Sequence, residues 1–416
     1  MLVVRGRVFY GGRIEPLSLG IDEGRVVAVK KVLRGDDQVD YGDALVLPGG
    51  IDLHVHLREP GDEDAEDFAN GTRSAALGGV TTVLDMPNNA PPVTTRAALE
   101  EKIARARGRA HVDYGLYAAP RSGGGASRLS GAAAFKLYMA ETTGGLAIDD
   151  DGVAEVLEAA GPMGKLVSVH AEDPREFGKR PATTLEDHHQ ARPKGAEVSA
   201  LKRLAGLRGD GPLHIAHVTS TEALDAVPRG ATTEATPHHL LLDLTTTRGA
   251  FGKVNPPLRP HEDREALWRA FADGRIDVVA SDHAPHLREA KEGPFAEAPA
   301  GVPGVGTMLP ILLRIVKGGD LTLERFVAAS ASKPASILGL DKGVLAVGRD
   351  ADLLVVDPRR AERVSAKRVR SKCGWTPFEG FEGCFPRAVY VRGEAVVEDG
   401  EPCAEGTGRM ITTPKR

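Results

Sequence analysis

Cysteine is scarce in this sequence, and its three residues, Cys373, Cys384 and Cys403, all lie near the C-terminus. Their odd number and their spacing match neither a disulfide framework nor a zinc-binding cysteine module. We therefore expect free thiols, and a cytoplasmic protein is the simplest account of them.

The chain also lacks any apolar run of the roughly 18 residues that a membrane helix needs. Its N-terminus, MLVVRGRVFYGGRIEP, is interrupted by Arg5 and Arg7 and makes a poor signal peptide. A strong charge imbalance is missing as well, because the net charge is only −5 with acids and bases mixed along 416 residues. The sequence thus gives no reason to expect a membrane or a nucleic acid as partner.

What the sequence does contain is a pair of β-rich ends around an alternating middle. Residues 1–49 and 343–416 hold strand-like runs with glycine-containing turns, such as LVVRGRVFY and AVYVRGEAVVEDGE. We predict that both termini build one small β-sandwich domain. Residues 50–342 alternate eight short apolar runs with helical patterns. This alternation predicts an α/β fold, a (β/α)8 TIM-type barrel that forms the catalytic domain.

Residues that commonly bind metals stand at the ends of the predicted barrel strands, where barrel enzymes place their active sites. The first strand ends in His54-Val55-His56, and alternation along a strand puts both imidazoles on one face. The fourth run, AAAFKLYM, contains Lys136, although an ammonium is rarely buried without a partner. A lysine of lowered pKa could be carboxylated and bridge two cations. The alternative is a lysine that reaches the barrel mouth or pairs with a carboxylate.

Three further candidates end the fifth, sixth and eighth strands: His170, His217 and Asp282. Either histidine alone could be an ordinary core residue, but six nitrogen and oxygen ligands on five strands form a complete two-metal set. Asp282 could also accept a proton from bound water. His214 stands an odd number of residues before His217, so we expect it to point outward and to be structural.

Seven motifs resemble the dihydroorotases of the amidohydrolase superfamily, in the same order, from about residue 48 to 310. They are GGIDLHVHLREPG, TTVLDMPNN, FKLYMAETT, VHAED, HVTSTEAL, KVNPPLR and ASDHAPH, and GRDADLLVVD and KCGWTPFEG extend the resemblance. The resemblance implies two zinc ions per subunit, although such ligands also accept cobalt or manganese. By this resemblance, one ion is bound by His54, His56 and Asp282. The other ion is bound by His170 and His217, and carboxylated Lys136 bridges the two. Glu234 matches an accessory-metal position of some members, and Ala216 stands where many relatives have cysteine.

The same resemblance implies a set of substrate contacts. Arg58, Asn88 and His286 match positions that bind the carboxylate of dihydroorotate. Asn255 matches a position that contacts the ring. Thr142 falls in a loop, ETTGG, that closes over the substrate in some relatives, and its glycines would permit movement.

The implied activity is the reversible hydrolysis of (S)-dihydroorotate to N-carbamoyl-L-aspartate in de novo UMP synthesis. A metal-bridging hydroxide would attack the ring amide, with Asp282 as general base and acid. Hydantoinases, dihydropyrimidinases and allantoinases share the barrel and the metals, so substrate charge must separate them. Arg58 lies two residues beyond His56 and favours a substrate with a carboxylate. Its pairing with Glu59 or Asp62 is the alternative.

A hypothesis of another class is an inactive dihydroorotase-like chain that serves as a structural partner of aspartate transcarbamoylase. Such a chain is expected to have lost ligands, whereas this one keeps all six. A homodimer, and association with aspartate transcarbamoylase, are expectations by analogy. The sequence assigns no role to His188 and His189, whereas His238 and His239 follow the seventh strand and could either contact the site or be structural.

Overall fold

The computed structural model describes residues 1–142, 144–207, 209–247, 249–403 and 405–413. The chain begins with four strands: β1 (Leu2–Tyr10), β2 (Arg13–Asp22), β3 (Arg25–Lys30) and β4 (Asp37–Pro48). Antiparallel pairing joins β1 to β2 and β2 to β3, while β4 returns parallel to β1. Gly11 and Gly12 make the tight turn between β1 and β2, both with the positive φ that glycine adopts readily.

Eight parallel strands follow and form the barrel. They are β5 (Gly50–Val55), β6 (Val80–Asp85), β7 (Asp113–Ala118), β8 (Ala134–Tyr138), β9 (Val167–His170), β10 (Leu213–Ile215), β11 (Thr232–Ala235) and β12 (Val278–Val279). Each strand pairs with its neighbours in chain order. A parallel bridge between Val55 and His283 joins the last strand to the first. The predicted barrel is therefore confirmed.

Helices connect the barrel strands along the chain, and further helices follow the last strand. They are α1 (Phe68–Leu77), α2 (Arg96–Ala106), α3 (Gly123–Arg128), α4 (Asp150–Ala160), α5 (Leu185–Ala191), α6 (Lys194–Leu207), α7 (Thr221–Asp225), α8 (Pro237–Leu241), α9 (His261–Ala272), α10 (Arg288–Glu292), α11 (Met308–Gly318), α12 (Leu323–Val327), α13 (Lys333–Leu338) and α14 (Ala366–Val369). Asp, Ser and Thr side chains cap many of their N-termini, as Asp67 does for α1 and Thr95 for α2. Within the described part of the chain, no helix is both long and apolar enough to cross a membrane.

The C-terminal part returns to β structure with β13 (Leu353–Val356), β14 (Glu362–Arg363), β15 (Glu382–Gly383), β16 (Ala388–Val391), β17 (Glu394–Glu398) and β18 (Glu401–Pro402). Four of these strands complete one eight-stranded mixed sheet in the order β18-β17-β16-β13-β4-β1-β2-β3. The sheet is therefore built from both terminal parts of the chain, as predicted. Some of its apolar residues, such as Val4 and Leu353, form a cluster of their own, whereas others, such as Leu47 and Leu354, belong to the apolar cluster of the barrel. The domain boundaries at 49/50 and 342/343 stay a prediction.

Candidate active site

A cavity at the carboxyl ends of the barrel strands gathers most of the predicted site residues. Its volume is about 460 Å³, including solvent space at its mouth. All six predicted metal ligands line it: His54, His56, Lys136, His170, His217 and Asp282. Four predicted substrate residues line it as well: Arg58, Asn88, Thr142 and Asn255. Glu234 and His286 lie behind this lining and contact it through hydrogen-bonding atoms.

Three buried side chains, those of His54, His56 and Asp282, form a compact group of possible ligands. Their nearest nitrogen and oxygen atoms all lie within 4.8 Å of one another. Nε2 of His56 is 3.0 Å, and Nε2 of His54 3.3 Å, from Oδ1 of Asp282. Burial lowers the pKa of His56 to about 4 and so favours the neutral imidazole that can ligate a metal. Burial would raise the pKa of Asp282, but the two imidazoles keep it well below its usual range.

Hydrogen bonds behind these histidines fix which nitrogen faces the cavity. Nδ1 of His54 donates to Oε1 of Glu234 at 2.5 Å, because an ionised carboxylate can only accept. Nδ1 of His56 lies 2.6 Å from Oδ1 of Asn88, which also accepts. With the proton on Nδ1, each Nε2 would be able to ligate a cation held between it and Asp282. Metal-binding histidines are commonly oriented in this way by a partner on the other ring nitrogen.

His170 and His217 form a second pair in the same cavity. Nδ1 of His170 and Nε2 of His217 are 2.9 Å apart, a separation at which both nitrogens could ligate one cation. Nε2 of His170 lies 2.6 Å from Oε2 of Glu172, and Arg192 forms an ion pair with that carboxylate at 2.5 Å. Glu172 thus orients His170 as Glu234 orients His54.

Lys136 on β8 is the least expected member of the cavity wall, because its ammonium nitrogen is buried. Among the described residues, its Nζ has no hydrogen-bond partner, and the face of the Tyr138 ring lies 5.5 Å away. Burial lowers the pKa of Lys136 to about 8. An unpaired buried polar atom is costly. The neutral amine that burial favours has a lone pair that an added anionic group or a cation would engage, so the residues present fit a divalent metal centre.

The backbone is strained where three of these strands end. Arg58, His217 and Asp282 have φ values of +62°, +36° and +44°, in the left-handed region that non-glycine residues rarely adopt. Such conformations cost free energy and cluster at functional sites, where the surrounding structure holds them. Here the turn at each strand end directs a polar side chain into the cavity.

Arg58 enters the cavity as a buried cation. Its Nε donates to the carbonyl of Pro285 at 2.8 Å, and its Nη2 lies 3.0 Å from Nε2 of His286. Within the described residues, no carboxylate lies within the 4.0 Å ion-pair distance of its guanidinium, and Glu59 pairs instead with Arg109. The alternative that Arg58 pairs with Glu59 or Asp62 is therefore not what the structure contains.

The rim of the cavity is formed by Thr142 and Asn255. Oδ1 of Asn255 lies 3.0 Å from Nε2 of His188, which also lies 3.0 Å from the carbonyl of Val254. His188 therefore holds the segment that presents Asn255, a function that the sequence alone did not assign. His239 has a similar supporting position, with its Nε2 2.9 Å from the carbonyl of Pro256.

The expectation that His214 points outward is wrong. Its Nε2 lies 3.0 Å from Oε2 of Glu234 and its Nδ1 lies 2.8 Å from Oγ1 of Thr232. Strand β10 ends at Ile215, so alternation cannot be extended from His214 to His217. Glu234 consequently accepts from two imidazoles and from the backbone N–H of His217 at 3.1 Å. Its geometry is that of a residue that orients ligands from behind.

Comparisons with known proteins identify the family of this chain. Residues 45–396 match the amidohydrolase family. The dihydroorotase of Halobacterium salinarum is 42% identical over 99% of this chain and 100% of its own length. That of Methanosarcina acetivorans is 37% identical over 97% and 94%. Among solved structures, the L-hydantoinase (dihydropyrimidinase) from Arthrobacter aurescens has a TM-score of 0.93 at 29% identity and covers 99% of both chains. The chain therefore belongs to the amidohydrolase family, in which its similarity to dihydroorotases extends over its full length.

Proposed function

We propose that this protein is a dihydroorotase, which interconverts (S)-dihydroorotate and N-carbamoyl-L-aspartate in pyrimidine synthesis. The family and the full-length relatives support a hydrolase of cyclic amides. The observation that carries the choice of substrate is the buried guanidinium of Arg58 in the cavity wall, which has no carboxylate partner among the described residues. A buried cation is stabilised by an anion, and dihydroorotate brings one as its ring carboxylate.

We assign the metal ligands as the sequence predicted them. One zinc ion would be held by His54, His56 and Asp282, the other by His170 and His217, with carboxylated Lys136 between them. When bound, these cations would polarise the ring amide and make a water molecule acidic near neutral pH. The neutral amine of Lys136, favoured by its burial, is the form that adds carbon dioxide. We assign Glu234 to orienting His54 and His214 rather than to an accessory metal.

The residues around these ligands would then handle the proton and the substrate. One oxygen of Asp282 faces both imidazoles, and we assign the carboxylate to receiving the proton of the attacking water and passing it to the ring nitrogen. Arg58, with Asn88 and His286 beside it, would bind the ring carboxylate. Asn255 and Thr142 at the rim would contact and cover the ring. In the reverse direction a protonated Asp282 supports ring closure.

Hydantoinases and dihydropyrimidinases remain the main alternative, because the solved structures most like this chain include them. Their substrates share the cyclic amide but carry no ring carboxylate in the position that Arg58 would bind. The shared backbone and metals therefore cannot decide between the two activities. Recognition of the ring carboxylate can distinguish the two activities.

The test is turnover by one zinc-loaded preparation on L-dihydroorotate, allantoin, hydantoin and dihydrouracil. We expect a clear preference for dihydroorotate. Arg58→Met should lower kcat/KM for dihydroorotate by about 100-fold, the value of two charge-assisted hydrogen bonds, and affect dihydrouracil far less. Arg107→Met removes an exposed arginine and is the matched control. Equal losses on both substrates would contradict the role of Arg58.

Other outcomes separate the alternatives. Preference for a neutral ring would move the enzyme to a neighbouring activity while keeping its metal chemistry. No turnover on any substrate, with metal bound, would favour the inactive structural partner of aspartate transcarbamoylase. Light scattering of the same preparation tests the expected homodimer, and mixing with aspartate transcarbamoylase tests that association.

A further inference from the structure

Lys291 on α10 is a buried lysine that the mechanism above does not use. Its side chain donates to the carbonyls of Pro299 at 2.8 Å, Gly301 at 2.9 Å and Lys253 at 3.3 Å. The residue is 2% exposed. No carboxylate of the described chain lies within 4.0 Å of its ammonium. Three backbone dipoles are thus its only polar contacts among the described residues.

The carbonyls that bind Lys291 belong to a wall of the substrate cavity. Ala300 and Gly301 line that cavity, and the carbonyl of Ala300 lies 3.0 Å from Nε2 of His286. The same nitrogen lies 3.0 Å from Nη2 of Arg58. A side chain on Gly301 would meet His286 at about 3.0 Å, so the wall and the imidazole are in close contact. Lys291 is therefore connected to Arg58 by one continuous set of contacts, through the cavity wall and His286.

The two charged side chains that act on buried Lys291, those of Lys253 and Arg58, are both cations. Lys253 donates to the carbonyls of Phe295 and Ala298, both at 2.7 Å, and like Lys291 it has no carboxylate within 4.0 Å among the described residues. Burial first, and then the positive charges of Lys253 and Arg58, lower the pKa of Lys291 to about 7. The ring of Trp375, 5.7 Å from its Nζ, offers only a weak compensation. Burying like charges together is unfavourable unless an anion joins them.

We propose that Lys291 is a positioning residue for the substrate's carboxylate. Lys291 fixes residues 299–301 of the cavity wall against His286 and Arg58, and it adds its own positive charge to the subsite that binds the carboxylate. This inference rests on the proposed function, because it takes the anion to be the ring carboxylate. Lys291 does not line the cavity and so acts through the wall and through its field. Its contribution should appear in binding of the anion and much less in the chemical step.

The test compares binding of orotate and uracil, two planar rings that differ by the carboxylate, by titration calorimetry at fixed ionic strength. Lys291→Met should weaken orotate about tenfold, the effect of one charge at a distance of several ångströms in a poorly screened site, and leave uracil unchanged. With dihydroorotate, KM should rise by a similar factor while kcat changes little. Lys317→Met, which removes an exposed lysine at the end of α11, is the control.

Two further variants separate charge from support of the wall. Lys291→Gln keeps a donor but loses the charge, so orotate should remain weakly bound. Lys291→Arg keeps the charge and should restore a large part of the affinity for orotate. Full recovery in Lys291→Gln, or equal losses of orotate and uracil, would overturn the proposal, with melting temperatures checking that each variant folds.

Failure of the proposed function would be visible separately. A wild-type enzyme that prefers neutral substrates but still binds orotate more tightly than uracil would refute the dihydroorotase activity and leave Lys291 to be judged by its variants. A wild-type protein that binds uracil as well as orotate has no carboxylate subsite, and this result would overturn the proposal for Lys291 as well.

Discussion

At the scale of single residues, Glu234 decides which nitrogen of His54 carries the proton. Burial would raise the pKa of Glu234, but His54 and His214 keep it well below its usual range. An ionised carboxylate at 2.5 Å then holds the proton on Nδ1 and leaves Nε2 to face Asp282. His54 is thereby prepared as a metal ligand before any metal arrives.

We expect Glu234→Gln to lower metal affinity about 10- to 100-fold, the usual effect of losing a residue that orients a ligand. An amide can present either its oxygen or its NH₂ group to Nδ1, so it holds the tautomer less firmly than a carboxylate. Competition with a chelator, followed by metal analysis, measures the effect. Glu158→Gln, on an exposed part of α4, is the control. A variant that retains metal as tightly as the wild type would refute this role.

The residues that meet in the cavity could be predicted from the sequence, while their supports could not. His54 and Asp282 lie near the end of a recognisable apolar run and Lys136 lies within one, and the ends of parallel strands meet at one edge. Glu172 and His214 have no such local signal. Their importance depends on which imidazole lies beside them in space, and one sequence does not contain that information.

At the scale of elements, the predicted strands are longer than the strands that form. The run LHIAHVT contributes only β10, which ends at Ile215, and IDVVASD contributes only the two residues of β12. Positive φ at His217 and Asp282 turns the chain out of the sheet before the apolar pattern ends. An apolar pattern indicates which residues are buried, but not which of them form backbone hydrogen bonds with a neighbouring strand. It could therefore predict the strand order but not the strand ends.

Another element, residues 371–376, brings the C-terminal part of the chain to the mouth of the barrel. Oγ of Ser371 donates to Glu66 at 2.6 Å, and Lys372 pairs with Asp67 at 3.0 Å. Nε1 of Trp375 donates to the carbonyl of His286 at 2.8 Å. The motif KCGWTPFEG thus has a structural role, since its tryptophan supports His286, the residue that contacts Arg58.

Trp375→Phe should destabilise the protein by about 1–3 kcal/mol, because the buried carbonyl of His286 loses its donor. Most of the ring packing against Phe251, whose centroid is 5.0 Å away, would remain. KM for dihydroorotate should rise more than kcat falls, since the change reaches the substrate through His286. Melting curves and steady-state kinetics measure the two effects. Trp268→Phe, on the half-buried face of α9, is the control, and an equal response from both variants would refute the role.

At the scale of the whole molecule, a group of buried charges joins the barrel to the terminal sheet. Nζ of Lys342 lies 2.6 Å from Asp352, beside β13, 2.9 Å from Asp113 on β7 and 3.4 Å from Asp350. Arg392 pairs with Asp113 from the strand end of β16. The sequence predicted both parts of the molecule, but it could not predict this contact, whose members are up to 279 positions apart.

Lys342→Met should lower the free energy of unfolding by about 3 kcal/mol, because removing one partner leaves carboxylates buried without compensation. Scanning calorimetry measures the loss as a lower melting temperature. Lys333→Met is the matched control, since its ion pair with Asp277 at 2.9 Å is about half exposed and should contribute less than about 1 kcal/mol. Similar losses in both variants would mean that the buried group has no special role.

The pH dependence of that difference has a definite sign. Burial alone would lower the pKa of Lys342, but Asp352 and Asp113 raise it well above the ordinary value of 10.5. A lysine whose pKa is higher in the folded state stabilises the protein fully below the unfolded pKa and loses this effect as the pH rises through the folded pKa. The gap in melting temperature between wild type and Lys342→Met should therefore be constant from about pH 6 to 9 and shrink only above about pH 10.5. A gap that closes between pH 6 and 9 would show that the aspartates, and not Lys342, control the stability of this contact.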